Sequence, residues 1–220
     1  MSTTWVIVVA AGRGARYATD DDTAPKQFAM LCGARLVDRA VAAARDASDG
    51  VVLVLAPGTE WDGIAVDAVV AGGATRSDSV RAGLAAVPAD VDVVIVHDAA
   101  RPLASSALFD AVVNAVRAGA DAAVPGVPVV DTIKQVDGAR VHATLPRQQL
   151  VAVQTPQAFR AGVLRDAHAD AGDASDDAAL VEARGGTVVV VPGDERNRKI
   201  TTPADLVVAE ALLRVREDRS

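Results

Sequence analysis

The chain has 220 residues, half of them hydrophobic, which suits one α/β domain with a sizeable core and no membrane span. Acids outnumber bases 29 to 22, for a net charge of −7, so broad nucleic-acid binding is excluded as a partner class. The lone Cys32 excludes an internal disulfide or a cysteine zinc site, and "MSTTWVIVVAAG" has no basic leader, so a cytoplasmic protein without a signal peptide is expected.

The first predicted element is a buried parallel strand over Trp5–Ala10. It stops in "AAGRGARY", where Gly12 and Gly14 free the backbone to approach an anion. Met1–Thr19 holds Arg13 and Arg16 and no acid, a local positive field in an acidic chain. Two readings stand there, a discrete anionic ligand or two solvated loop arginines. A dinucleotide fingerprint is broken, because Tyr17 stands where its third glycine belongs, and no Walker A Gly-Lys-Ser/Thr occurs. Lys26 follows Pro25, which stiffens the loop and fixes where the lysine emerges. With the arginines it reads as a polyphosphate clamp.

Leu36–Ala47 is an amphipathic helix, with Leu36, Val37, Ala40, Val41 and Ala44 on one face. A strand over Val51–Ala56 follows. In "GGATRSDSV", Gly72-Gly73 ends a strand, and Ser77 or Asp78 is expected to cap a helix over Ser77–Val87. Backbone groups at this turn could recognise a base edge, or it is a routine strand–helix turn. Strand Val93–Val96 leads into "HDAARP". Asp98 there can hold Mg²⁺ or a ribose hydroxyl, or simply pair with Arg101. A helix over Ser105–Ala118 and a strand over Ala120–Val124 come next. Two alternating runs around Asp137-Gly138 then signal a hairpin. Thr132, Lys134 and Val136 share one face of it, and Arg140, His142 and Thr144 one face of its second strand. A two-stranded hairpin is marginal alone, so it is expected to lie on something, such as a second subunit. Arg147, Thr155 and Lys199 are loop donors for a phosphate-bearing second substrate. Asp170–Asp177 reads as an exposed acidic loop, and Thr187–Val191 as a strand. Thr202, Pro203 and Asp205 open the last helix. The alternation implies an α/β fold with a Rossmann-like, mostly parallel sheet and helices on both faces. Ligands then gather beyond the carboxyl ends of the strands.

"AAGRGARY", "PKQF", "GGATRSDSV", "VHDAARP", "VDTIK", "QTPQAF" and "RKITTPADL" occur in this order from Val6 to about Leu213. The set resembles the 2-C-methyl-D-erythritol 4-phosphate cytidylyltransferases. The resemblance implies one nucleotide-diphospho-sugar transferase-like domain over residues 1–220, with a β-arm over 128–150 that reaches into a second subunit. It implies cytidylyl transfer from CTP to methylerythritol phosphate, with pyrophosphate released, in the non-mevalonate isoprenoid pathway. Mg²⁺ is the implied cofactor, and a homodimer with exchanged arms the implied assembly. Arg16 and Lys26 would stabilise the transition state. Gly12 and Gly14 would cradle phosphate, and Ala10, Ala11, Gly73 and Ser79 would touch the cytosine. Asp98 and Ala99 would face the ribose or the metal. Arg147 and Lys199, helped by Arg101, Thr132 and Thr155, would position the second phosphate, with Thr132 and Arg147 coming from the partner. Two departures stand out. The loop "ATDDDTAP" is acidic, and a lid ordered by nucleotide is expected there. Ser175-Asp176-Asp177 replaces a frequent Thr-Asp-Glu, which puts contacts from that loop in question. The rival readings are a ribitol-5-phosphate cytidylyltransferase, a sugar-1-phosphate uridylyl- or guanylyltransferase, a non-catalytic nucleotide-binding module and a dehydrogenase.

Overall fold

The computed structural model describes residues 2–12, 25–170, 174 and 176–217, with side chains to residue 214. Its elements in chain order are β1 (Thr4–Ala10), a 3-10 turn (Lys26–Phe28), β2 (Met30–Leu31), β3 (Ala34–Arg35), α1 (Leu36–Asp46), β4 (Gly50–Leu55) and β5 (Ala68–Ala71). Then come α2 (Arg76–Ala86), β6 (Val93–Asp98), α3 (Ser106–Arg117), β7 (Ala122–Pro128), β8 (Lys134–Asp137) and β9 (Arg140–Thr144). A second 3-10 turn (Arg147–Gln149) precedes β10 (Val151–Val153), β11 (Gln157–Arg160), α4 (Ala161–Ala169), α5 (Asp177–Ala183), β12 (Val188–Pro192) and α6 (Pro203–Glu217).

The main sheet has eight strands among the described residues, and β5, β4, β1 and β6 lie side by side in parallel. β11 runs antiparallel between β6 and β7, and β12 lies parallel on the far side of β7. Gly126 pairs with Val153 and Pro192, as Ala122 pairs with Phe159 and Val188. β10 and β11 therefore lie end to end along one side of β7. The sheet is mostly parallel, as expected, with two reversed strands that the sequence reading lacked.

Successive residues of a strand face opposite sides, and both sides are covered. Val6 and Val8 of β1, with Leu53 of β4 and Ile95 of β6, pack on Val37, Val41, Phe109 and Val112 of α1 and α3. Ile7, Val52, Val54, Val94 and Val96 face α2, α4 and α5 through Val80, Leu164 and Val181. This two-sided burial is why the strands read as unbroken apolar runs.

Three local expectations are corrected. α2 begins at Arg76, and its cap is Thr75 rather than Ser77 or Asp78. The Thr75 hydroxyl accepts from Asp78 N–H, and the Asp78 side chain accepts from Thr75 N–H. A Thr with an acid three residues on forms this reciprocal pair, which a cap at Ser77 could not. In the hairpin, Lys134 pairs with Thr144 but Val136 with Val141, so His142 is an extra residue. Arg140 and Thr144 consequently fall on opposite faces. The acidic run is not wholly exposed either, because Asp177 is fully buried and Asp176 caps α5 by accepting from Ala179 N–H at 2.9 Å. The start of α6 matches its expectation. Asp205 accepts from the backbone and hydroxyls of Thr201 and Thr202, and these donors hold its carboxyl below the usual range.

Candidate active site

The carboxyl ends of β1, β4, β5 and β6 open into a cleft of about 920 Å³. Its walls are mainly small residues, among them Ala10, Ala11, Gly12, Gly72, Gly73, Ala99 and Ala100. Gly72 and Gly73 have a steric reason. A Cβ on Gly72 would stand 2.4 Å from Ala11 Cβ, and one on Gly73 would stand 2.2 Å from Asp78 Cβ. The turn thus packs against β1 and α2 and turns backbone toward the cleft. Ser79 supports it: its hydroxyl accepts from Gly73 N–H at 3.2 Å and donates to Thr75 O at 3.0 Å.

Among the described residues four charged side chains line the cleft, Lys26, Arg76, Asp98 and Lys199. Pro25 and the 3-10 turn aim Lys26 across it, and its ammonium donates to Ile200 O at 2.8 Å. Asp98 ends β6 and is 8% exposed. Lys199 Nζ lies 2.6 Å from its Oδ2, and Arg76 Nε 3.3 Å from its Oδ1. Burial works to raise the Asp98 pKa, but the charges of Arg76 and Lys199 outweigh it and hold the carboxyl well below the usual range. Asp98 is therefore a carboxylate across the neutral range. The alternative Asp98–Arg101 pair does not form. The Arg101 guanidinium instead donates to Asn197 O at 2.8 Å and Val153 O at 3.2 Å.

The cleft gathers Ala10, Ala11, Gly12, Lys26, Gly73, Ser79, Asp98, Ala99 and Lys199 of the expected site. Thr155 stands behind it, buried, its hydroxyl accepting from Asp98 N–H at 3.0 Å and meeting His97 Nδ1 at 3.2 Å. Arg101, Thr132 and Arg147 do not line the cleft. Thr132 is exposed at the root of the hairpin, and Arg147 donates to Val130 O in its own chain. Arg13, Gly14, Arg16 and the Asp20–Asp22 lid expectation lie outside the described residues. Among the described residues no group of three or more His, Cys, Asp or Glu could hold a metal. Among the described residues Asp98 is the one carboxylate that lines the cleft. Both of its oxygens already face cations, so the cation that fits beside it is one that is held largely by substrate phosphates, as Mg²⁺ is.

Sequence reasoning misses two residues of the site. Arg76 lies in a quoted motif without a role, and Asp177 reads as part of a solvated loop. Arg76 Nη1 donates to Asp177 Oδ2 at 2.7 Å, so the shorter acid does make its contact. The available signal is position: Arg76 directly follows the capping Thr75 at the ligand edge of the sheet.

The family model described as IspD, 2-C-methyl-D-erythritol 4-phosphate cytidylyltransferase, matches residues 4–215. The 2-C-methyl-D-erythritol 4-phosphate cytidylyltransferase of Frankia casuarinae is 49% identical over 215 residues, covering 94% of this chain and 80% of that protein. The one of Saccharopolyspora erythraea is 46% identical, covering 94% and 97%. A bifunctional IspD/IspF enzyme of Solidesulfovibrio magneticus is 44% identical, and the match takes 94% of this chain but only 56% of that protein. This chain thus spans little more than half of that relative. The crystal structure of the Thermus thermophilus 2-C-methyl-D-erythritol 4-phosphate cytidylyltransferase superposes with a TM-score of 0.81 at 38% identity, covering 97% and 100%. On sequence and fold together, the chain belongs to the 2-C-methyl-D-erythritol 4-phosphate cytidylyltransferase family.

Proposed function

We propose that the cleft at Asp98 transfers the cytidylyl group of CTP to 2-C-methyl-D-erythritol 4-phosphate, giving 4-diphosphocytidyl-methylerythritol and pyrophosphate in the non-mevalonate isoprenoid pathway. The carrying observation is the meeting of three cations with a backbone-lined turn at one sheet edge. A phosphate oxygen of the second substrate attacks the α-phosphorus of CTP. The new P–O bond forms as the bond to the bridging oxygen breaks, and that electron pair leaves on pyrophosphate. The attacking phosphate is already ionised, so no general base is required. Catalysis then rests on placing two anions together and neutralising developing charge. Lys26 supplies charge at the triphosphate, with Arg16 in the same role. Gly12 and Gly14 cradle the phosphates. Ala10, Ala11, Gly73 and Ser79 bound the base, and Asp98 and Ala99 the ribose. Lys199 receives the second phosphate, helped by Arg101 and Thr155.

Mg²⁺ would enter with the substrate phosphates and neutralise their charge, with Asp98 as the carboxylate of the cleft beside them. The hairpin supports a homodimer. Among the described residues β8 and β9 pair only with each other, and Val130, Val136 and Val141 are 74%, 57% and 54% exposed. Such an arm gains stability by lying on a second copy, where Thr132 and Arg147 would complete the partner's site. Residues 128–150 then form the arm of a single domain over 1–220. No helix among the described residues is long and apolar enough to cross a membrane. The lone cysteine, Cys32, favours the cytoplasm.

The test is pyrophosphate release from purified protein with Mg²⁺, CTP and either methylerythritol phosphate or ribitol 5-phosphate. Release with the first alone is expected. Release with ribitol phosphate alone would refute the substrate while keeping the nucleotide. Silence with both would refute the reaction.

A further inference from the structure

Two cations face Asp98: Arg76, which it shares with Asp177, and Lys199. They are held differently. Arg76 starts α2 and is fixed from behind, with Nη1 2.7 Å from Asp177 Oδ2 while Nε faces Asp98. The Asp177 side chain is 1% exposed, and its Oδ1 lies 3.0 Å from Nε2 of the buried His168. Arg76 cannot withdraw without stranding a buried carboxylate, which is strongly destabilising. Lys199 sits on an irregular stretch before α6, with its side chain 41% exposed and Asp98 as its partner. It can turn away as long as Asp98 keeps another cation.

We propose that Arg76, anchored by Asp177, is a positioning residue: it is the standing counter-ion of Asp98 that frees Lys199 for the phosphate of the second substrate. The proposal rests on the reading of the cleft given above. Without Arg76, Lys199 becomes the one ion-pair contact of a nearly buried carboxylate among the described residues. An incoming phosphate must then compete with Asp98 for it. Asp177 and His168 act one step further back by fixing the guanidinium.

The experiment is a double-mutant cycle between Arg76→Gln and Lys199→Gln, read as KM for methylerythritol phosphate, KM for CTP and kcat. Circular dichroism checks the fold of each variant. Arg76→Gln is expected to raise KM for methylerythritol phosphate about tenfold, the size of coupling seen within one charge network, and less than about twofold in the Lys199→Gln background. Equal rises in both backgrounds, or a rise confined to CTP, would overturn the proposal. Asp177→Asn is expected to act in the same direction and serves if Arg76→Gln does not fold.

A second arm needs no turnover. The chain has three lysines, Lys26, Lys134 and Lys199. Acetic anhydride labelling read by mass spectrometry gives the reactivity of Lys199 relative to Lys134 on the exposed hairpin. A lysine clamped as the one ion-pair partner of Asp98 leaves the cleft wall less often to meet the reagent, so the ratio is expected to fall about threefold in Arg76→Gln. An unchanged or higher ratio would overturn the relay. If the wild type labels as described but releases no pyrophosphate, the functional reading fails and the labelling arm alone decides on the relay.

Discussion

His97, one residue before Asp98 on β6, makes the stability of this fold pH-dependent in a calculable way. Its ring is fully buried, 5.2 Å from the Phe109 ring centroid. Thr155 Oγ, which accepts from Asp98 N–H, lies 3.2 Å from His97 Nδ1. Burial, only partly offset by Asp98, pushes its pKa down from 6.5 to about 4. The unfolded chain therefore takes up this proton at a higher pH than the folded one. Stability is complete above pH 6.5 and falls as pH drops toward 4. A drop of two and a half pKa units corresponds to roughly 3 kcal/mol in full, of which about 2 kcal/mol is lost by pH 5. Asp98 does not act in this window. Its lowered pKa gives stability that persists above the ordinary carboxylate value and is lost only below it. The assay is urea unfolding at several pH values between 7.5 and 4.5, for the wild type and His97→Asn. The variant is less stable at every pH, but the difference between the two is expected to shrink as pH falls. Parallel curves would refute the argument, because the slope would then come from other groups.

Further expectations follow from the cleft and the arm. Lys26→Ala is expected to lower kcat about 10²–10³-fold with KM for CTP changed by less than about threefold, because charge builds up only in the transition state; equal losses in both would favour a binding role. Gly73→Ala places a Cβ 2.2 Å from Asp78 Cβ, so the Thr75–Asp78 cap has to shift. Thermal unfolding is expected to show a loss of about 1–3 kcal/mol together with weaker CTP binding, and a wild-type melting temperature would show that the turn yields freely. Mixing inactive Arg147→Ala and Lys199→Ala proteins is expected to restore activity if arms are exchanged. Each mixed dimer then holds one site with an intact arm and an intact lysine, and no recovery after subunit exchange would count against a shared site.

The parts of the fold that are legible in the sequence are those where the pattern is local. β1, β4 and β6 are buried on both faces, so "WVIVVA", "VVLVL" and "VVIV" announce themselves. β10 and β11 do not. "VAV" and "QAFR" are too short to carry a period, and they are strands because β7 and β6 pair with them. The site divides in the same way. Lys26, Gly73 and Asp98 are legible because each stands beside a turn or at a strand end. The Arg76–Asp177 pair is not, since its members are 101 residues apart and each looks local, one at a helix start and one in an acidic run. Only packing of α5 against the sheet brings that carboxylate beneath the cleft.

The electrostatic arrangement also accounts for how an acidic protein selects anions. The cleft is lined by three cations and one carboxylate among the described residues, inside a chain whose net charge is −7. A small triphosphate senses mostly the cleft, where walls of low polarity strengthen the local field. A long polyanion has to lie along the surrounding surface as well, at distances beyond a screening length from those cations, and meets repulsion there. Asp98 sharpens the contrast. Without ligand it holds Lys199 and Arg76 close together, and with a phosphate present it gives up the one cation that Arg76 allows it to lose.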